Sequence, residues 1–315
     1  MQKLLNKITC GDCIKILDKA RKPFADLIFA DPPFNIGYKY DKYHDNVKSK
    51  NYIAWTKDWI AACRKVLKPH GSFYIAIGDE YAANVKIIAD ELGLFMRNWI
   101  IWHYTFGQQM KRKFARSHTH IFYFVNDTNK FTFNDLAVRV PSDRQLIYND
   151  KRANPVGKMP DDVWHEYSRV CGTFKERTGW HPCQMPESLL KRIISASSNP
   201  GDCVLDPFCG SGTTAAAAYQ LGRSYVGLEI SQEYVENARQ RLSRLKKQQP
   251  ANPFLNNTEI NELKRLLSDI KKPAKQITED KKLLELFAKQ FALRMNNHKR
   301  YGIVEIAAAL EDIAD

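Results

Sequence analysis

Two stretches of this 315-residue sequence put acids where a ligand would meet the end of a strand. The first is LIFADPPFNIG, residues 27–37, in which an apolar run meets Asp31, Pro32, Pro33 and Phe34. Proline has no N–H to give a central sheet, so the strand is expected to stop at Asp31. A carboxylate, two backbone carbonyls with no N–H between them and an aromatic face then share a strand's carboxyl end. Ligands of open α/β sheets bind there. Alone, Asp-Pro-Pro-Phe also fits a plain turn after a strand.

The second stretch is VLDPFCGSGTT, residues 204–214, which reads as a strand, an acid and a glycine loop opening a helix. Gly210 and Gly212 permit a tight turn and close approach of a ligand to the backbone. The helix start after them favours a negative ligand group. SYVGLEIS follows as a second strand and ends in Glu229, 17 residues after Gly212. An acid so placed holds ribose hydroxyls in nucleotide-binding α/β folds. No Gly-Lys-Ser/Thr follows the loop and no full G-x-G-x-x-G is present, which argues against a Walker loop and a dinucleotide site. The pair of features points to an adenosine-bearing cofactor.

These residues need a sheet to position them, and the chain supplies one. Strands are expected at 7–9, 27–30, 72–77, 98–104, 121–125, 203–206 and 224–230. Between them, Trp55, Trp59, Ala62 and Val66 recur at helical spacing over 51–67, and further helices are expected at 81–92 and 213–221. Alternation of this kind predicts an α/β fold, a mixed sheet with helices on both faces. Residues 126–177 keep no sustained period and read as an irregular insertion. Residues 248–258, QQPANPFLNNT, read as a linker between a catalytic domain, 1–247, and a small helical appendage, 259–315. The appendage has three apolar-periodic segments, each too short to be stable alone in water.

Bulk properties set the class. Hydrophobic residues make up 44% and charged residues 26%, as in ordinary globular proteins, and no apolar run approaches the roughly 18 residues of a membrane span. The stretch MQKLLNKITCGDC is too polar for a signal peptide, and seven cysteines read as free thiols. The expected location is the cytoplasm, on the nucleoid. The net charge is +13, and from Ala251 onward 11 basic residues face 10 acidic ones, so the preceding body carries +12. A basic body suits a polyanion, nucleic acid above all.

At this point the two motifs together resemble the amino-methyltransferases of DNA. The resemblance covers about residues 6–245. It implies a Rossmann-like fold that binds S-adenosylmethionine at Asp206, Pro207, Phe208, Gly210, Gly212, Thr213 and Glu229, with the target base held at Asp31–Phe34. The glycine loop follows the catalytic motif, as in the circularly permuted beta class of that family. HPCQMP, residues 181–186, is similar to that class's H-P-T-Q-K-P and implies a cofactor-side role for Gln184, with Cys183 and Met185 departing from the pattern. Gly11-Asp12-Cys13 resembles the motif whose acid, here Asp12, contacts the cofactor's adenine.

The chemistry explains the residues. A base's amino nitrogen is a poor nucleophile because its lone pair is delocalised into the ring. If Asp31 and the Pro32 carbonyl accept its two N–H groups, the lone pair is freed toward the sulfonium methyl. The remaining work is alignment and fixed dipoles. Phe34 would stack on a base that has been flipped out of the duplex. Lys111, Arg112, Lys113 and Arg116, beside Trp102, Tyr104, Phe106 and Phe114, are candidates for holding double-stranded DNA. The insertion would read sequence by the same resemblance, with Arg139, Arg144, Lys151 and Arg152 as candidates. The Asp of the motif favours adenine over cytosine, where Ser is commoner. Rivals are cytosine 4-amino methylation, an RNA or protein glutamine methyltransferase, and a nucleic-acid binder without activity. A second copy of the chain is a candidate partner. No metal is expected, since Cys10-x-x-Cys13 lacks a second pair and this methyl transfer needs none.

Overall fold

The computed structural model describes residues 3–108, 111–148, 150–247, 255–295 and 301–314. In chain order the elements run β1 (Lys7–Cys10), α1 (Cys13–Leu17), β2 (Ala25–Ala30), α2 (Ser49–Val66), β3 (Leu67–Ile77) and α3 (Asp79–Glu91). Next come β4 (Phe95–Gln108), β5 (Arg116–Val125), α4 (Asp143–Leu146), β6 (Val163–Trp164) and α5 (Glu187–Ser197). Then follow β7 (Cys203–Asp206), α6 (Thr213–Gln220), β8 (Ser224–Glu229) and α7 (Gln232–Lys247). The tail holds α8 (Asn257–Ile270), α9 (Ala274–Glu279), α10 (Lys281–Arg294) and α11 (Ile303–Ala314). Of the expected linker, residues 248–254 lie outside the described residues.

One open eight-stranded sheet has the order β1-β8-β7-β2-β3-β5-β4-β6. The five strands from β1 to β3 are parallel, and β5 pairs antiparallel with both β3 and β4. Every residue of β2 is buried, so it reads as one apolar run broken only by Asp26. That carboxylate accepts from Lys68 Nζ at 2.8 Å, lies 2.9 Å from His70 Nε2 and accepts from the Cys203 amide at 2.9 Å. It ties β2 to β3 and β7 at the end opposite the site. Side chains alternate across the sheet. Leu27 and Phe29 join a core with α5, α6 and α7, while Ile28 and Ala30 join one with α1, α2 and α3.

The helices after β2 and β7 therefore leave for opposite faces. A crevice must open between the carboxyl ends of those two neighbouring strands. Residues 68–71, between the helix expected over 51–67 and the strand expected at 72–77, are part of β3. One residue on β2, Asp26 between Ala25 and Leu27, is opposed by four on β3, between Leu67 and Ser72, and the strand bulges around Pro69.

The tail has four helices where sequence periodicity shows three, because α9 spans only six residues. It builds its own apolar core around Leu263, Phe287, Phe291 and Leu310. It also meets the body through buried charge. Asp269 takes Arg192 of α5 and Arg294 of α10, each at 2.8 Å, and the Tyr167 hydroxyl donates to it at 2.8 Å. Three arginines, Arg192, Arg265 and Arg294, surround this acid with Glu262, and their charge holds the Asp269 carboxyl far below its ordinary range despite complete burial.

Candidate active site

The crevice between β2 and β7 holds a cavity of about 280 Å³, and Asp12, Asp31, Asp206 and Glu229 all line it. Each acid arrives from a strand end or the loop after one. The β2–β7 register pairs Leu27 with Val204 and Ile28 with Leu205, which brings Asp31 and Asp206 to the same rim.

Beyond Ala30 the two prolines end the ladder, and the loop after them is held from outside. Buried Asp45 accepts from the amides of Asn35 at 2.7 Å, Ile36 at 3.2 Å and Tyr38 at 2.9 Å. Asn35 takes a left-handed φ of 58°, and its side chain clasps both N–H and C=O of Val47, at 2.7 and 2.9 Å. The Tyr52 hydroxyl donates to the Pro33 carbonyl at 2.6 Å. Among the described residues no hydrogen bond reaches the Pro32 carbonyl. The loop thus leaves the carbonyl of the residue after Asp31 without a donor. Asp45 and Tyr52 escaped the sequence reading because each sits in a segment with no motif around it. The left-handed Asn35 is a turn residue that could have been suspected.

The glycine loop is shaped by close packing. At Gly210, φ is +44° and an added Cβ would stand 2.6 Å from His181 Nε2; at Gly212, φ is +75° and the nearest atom would be Ala238 Cβ at 2.9 Å. Glu229 bridges the loop to its own strand end, accepting from the Gly210 amide and the Ser231 amide, each at 2.9 Å. Asp206 accepts from the Phe208 amide at 3.0 Å. Asp12 caps α1 through the Lys15 amide at 3.1 Å.

The electrostatics select a cation. Four carboxyls line the cavity and, among the described residues, no lysine or arginine does. Burial, reinforced by Asp206, pushes the Asp31 carboxyl up to about 8, and burial pushes Asp206 up to about 7 and raises Glu229 as well. His181, desolvated against the loop, is pushed down to about 4 and stays neutral. The walls are aromatic: Tyr40, Tyr43, Trp55, Phe208 and Tyr234. Phe208 is braced edge-on by Trp59 at 5.2 Å and Trp55 at 5.6 Å. A ligand with a positive centre and a flat ring fits such a lining, as a nucleoside sulfonium does.

The other expected residues divide. Pro33, Pro207 and Thr213 line the cavity with the acids and Gly210. Pro32 and Gly212 lie behind the lining in the same loops. Phe34 is not in the cavity lining; it packs against the core shared with α1, α2 and α3, its Cδ2 3.3 Å from where a Cβ on Gly78 would be. Gln184 is buried, with its carbonyl accepting from the Thr178 amide at 2.8 Å and its amide donating to Glu176 O at 2.7 Å. It braces the 176–184 loop, while its neighbours Cys183 and Met185 face the cavity.

Of the basic candidates, Lys111, Arg112 and Lys113 are exposed between β4 and β5, beside a Phe114 that is 99% exposed. Residues 109–110 and the Phe106 side chain lie outside the described residues. Arg116 is not a free cation: it pairs with Asp79 at 2.8 Å and Glu80 at 3.2 Å in the first turn of α3. Arg139 is tied to Asp135 at 2.9 Å and donates to Gly157 O at 3.1 Å. Arg144, Lys151 and Arg152 are exposed, Arg152 being paired with Asp150 at 3.0 Å. Among the described residues no group of histidine, cysteine and carboxylate side chains could hold a metal, and no helix is long and apolar enough to cross a membrane.

The fold and site define a class: an open α/β sheet with a nucleoside-type, cation-accepting crevice at its switch point. A family model described as DNA methylase matches residues 25–240, and one described as methyltransferase domain matches 198–306. The chain is 40% identical over 237 residues to the type II methyltransferase M.HpaI of Haemophilus parainfluenzae, covering 75% of this chain and 74% of that one. It is 40% identical over 242 residues to the DNA adenine methyltransferase YhdJ of Escherichia coli (strain K12), covering 74% and 81%. Among solved structures, the M1.HpyAVI–SAM complex aligns with a TM-score of 0.55 at 25% identity, over 75% of this chain and 98% of that one. The cytosine-N4-specific PvuII DNA methyltransferase shares the fold, with a TM-score of 0.57 at 18% identity over 84% and 92%. The chain belongs to the DNA methylase family, and its methyl donor is S-adenosylmethionine.

Proposed function

We propose that this protein methylates the 6-amino group of adenine in double-stranded DNA, with the flipped base held at Asp31. The observation that carries this reading is Asp31 in the lining of an acid-lined, aromatic-walled cavity, followed in the chain by a Pro32 carbonyl that takes no hydrogen bond among the described residues. Family membership supplies the reaction class. The adenine-specific name of the YhdJ relative and the Asp of Asp-Pro-Pro-Phe support adenine. The glycine loop following the catalytic strand in sequence supports the permuted arrangement.

When bound, S-adenosylmethionine supplies an electrophilic methyl on a sulfonium. The chain's residues do the rest. Asp206, Glu229 and Asp12 would hold the donor, with Phe208 and Tyr234 against its ring, and their charge offsets the sulfonium's. Asp31 and Pro32 O accept the two amino N–H groups, which localises the nitrogen lone pair. Asp45, Asn35 and Tyr52 keep those acceptors fixed, so little reorganisation is left for the transition state. Phe34, three residues after Asp31 in the same loop, would stack on the base. The exposed Lys111–Lys113 segment with Phe114 meets phosphates and the opened duplex.

Mass spectrometry of nucleosides from DNA of cells expressing the protein tests this reading. 6-Methyladenine is expected. 4-Methylcytosine, or no modified base, would overturn it.

A further inference from the structure

Residues 141–148 and 150–157 form a loop that leaves and re-enters the body at an antiparallel bridge, Val140 with Lys158, closed by hydrogen bonds of 3.0 and 2.8 Å. The tip is open: Ile147 is 69% and Tyr148 73% exposed, and Arg144 beside them is exposed too. A large aromatic and an aliphatic side chain beside a cation suit a nucleic-acid groove or an opened base step.

The neck, in contrast, is clamped by the C-terminal tail. Arg294 donates to the Arg139 carbonyl through Nε at 3.1 Å and Nη2 at 2.7 Å, and Gln290 donates to the same carbonyl at 3.2 Å and to Val156 O at 3.4 Å. Arg265 donates to the Ala137 carbonyl, two residues before Arg139. Gly157 closes the clamp, since at φ +81° an added Cβ would meet Val140 O at 2.4 Å and Gln290 Oε1 at 2.9 Å. Behind Arg294 stands Asp269, which is bonded in turn to Arg192 of α5. A continuous buried chain thus runs from the catalytic body through the tail to the loop's neck.

We propose that the C-terminal helices position residues 141–157 on DNA, with Tyr148 and Ile147 entering the duplex and Gln290 and Arg294 setting the loop's direction. This rests on the reading of the protein as a DNA methyltransferase. Tail helices outside the chemistry would then govern which sequences are methylated.

The experiment uses full-length Tyr148→Ala and Gln290→Met. The first changes an exposed side chain. The second keeps side-chain volume but removes the neck's amide donors, and leaves Arg294 paired. Methylated positions are mapped in DNA of cells expressing each, and KM for DNA, kcat and S-adenosylmethionine affinity are measured on purified protein. Tyr148→Ala should raise KM for a preferred duplex about tenfold, with cofactor affinity unchanged. Gln290→Met should lower the ratio of preferred to one-base-altered sites while kcat on the preferred site holds. Wild-type KM and site ratios in both variants would overturn the inference. A lower melting temperature for Gln290→Met with an unchanged site ratio would show the tail to be structural only, and would also overturn it. Absence of methylation by the wild type would instead defeat the functional reading itself.

Discussion

Asp31 and Asp206 stand at the carboxyl ends of neighbouring parallel strands and share one cavity in which burial raises both, to about 8 and about 7. Two acids kept near neutrality side by side make a site that gains charge when a cation arrives. The sign of the pH dependence follows. A carboxyl whose folded pKa is raised contributes stability that is full below its ordinary value of 3.8 and is lost as pH rises through the folded value. The ligand-free protein should therefore lose stability as pH rises from about 4 to about 8. S-adenosylmethionine affinity should rise over the same window, with protons released on binding. Calorimetry at pH 7 in phosphate and in Tris measures that release. Proton uptake, or affinity that falls with pH, would refute the assignment.

The glycine loop gives a second prediction. Gly210→Val puts a branched side chain where His181 already stands 2.6 Å from a Cβ. Glu229→Ala frees the Gly210 and Ser231 amides from their acceptor. Both should weaken S-adenosylmethionine binding by about tenfold or more, Glu229→Ala by losing charge-assisted hydrogen bonds and Gly210→Val by forcing the loop away from His181. Unchanged affinity in both variants would move the cofactor pocket away from this loop.

Replacing Lys111, Arg112 and Lys113 with alanine should weaken DNA binding similarly across sequences. Each lost phosphate contact should reduce the slope of log affinity against log salt by roughly one. Arg116→Ala should change that slope little, because its guanidinium is already held by Asp79 and Glu80. Titrations at several salt concentrations compare the two directly.

The tail's ionic cluster makes a stability prediction. Asp269→Asn leaves Arg192, Arg265 and Arg294 buried together with too little negative charge. Breaking a buried ionic network on one side costs about 3–5 kcal/mol. Thermal unfolding should shift down by several degrees, and a wild-type melting temperature would contradict this. Sequence reading treats the tail as separable from the body. The buried Asp269–Arg192 pair shows why cutting it away would disturb α5 as well.

Much of the site was legible in advance because backbone chemistry wrote it. Prolines stop β2 at Ala30, glycines open α6, and apolar runs mark β7 and β8, so the acids at their ends are found by reading. The register that makes Asp31 and Asp206 neighbours is a tertiary fact. Asp45 was invisible for the same reason, since its three amide partners meet it only once Asn35 turns left-handed. Helix α7 escaped notice because Tyr234, Val235, Ala238 and Leu242 are diluted among charges. Arg116 reads as a free cation because its partners lie 36 and 37 residues away. Arg139 had a warning at closer range, as Asp135 sits one helical turn before it.

The central claim is that Asp31 activates an adenine amino group while other residues hold the donor. Purified wild-type protein and Asp31→Ala, each incubated with duplex DNA and S-adenosylmethionine labelled in its methyl group, test it most directly. Label is expected on N6 of adenine for the wild type. For Asp31→Ala the rate should fall about a hundredfold or more, with DNA binding retained and the donor still bound. Label on cytosine, or a variant that transfers methyl at the wild-type rate, would contradict the account.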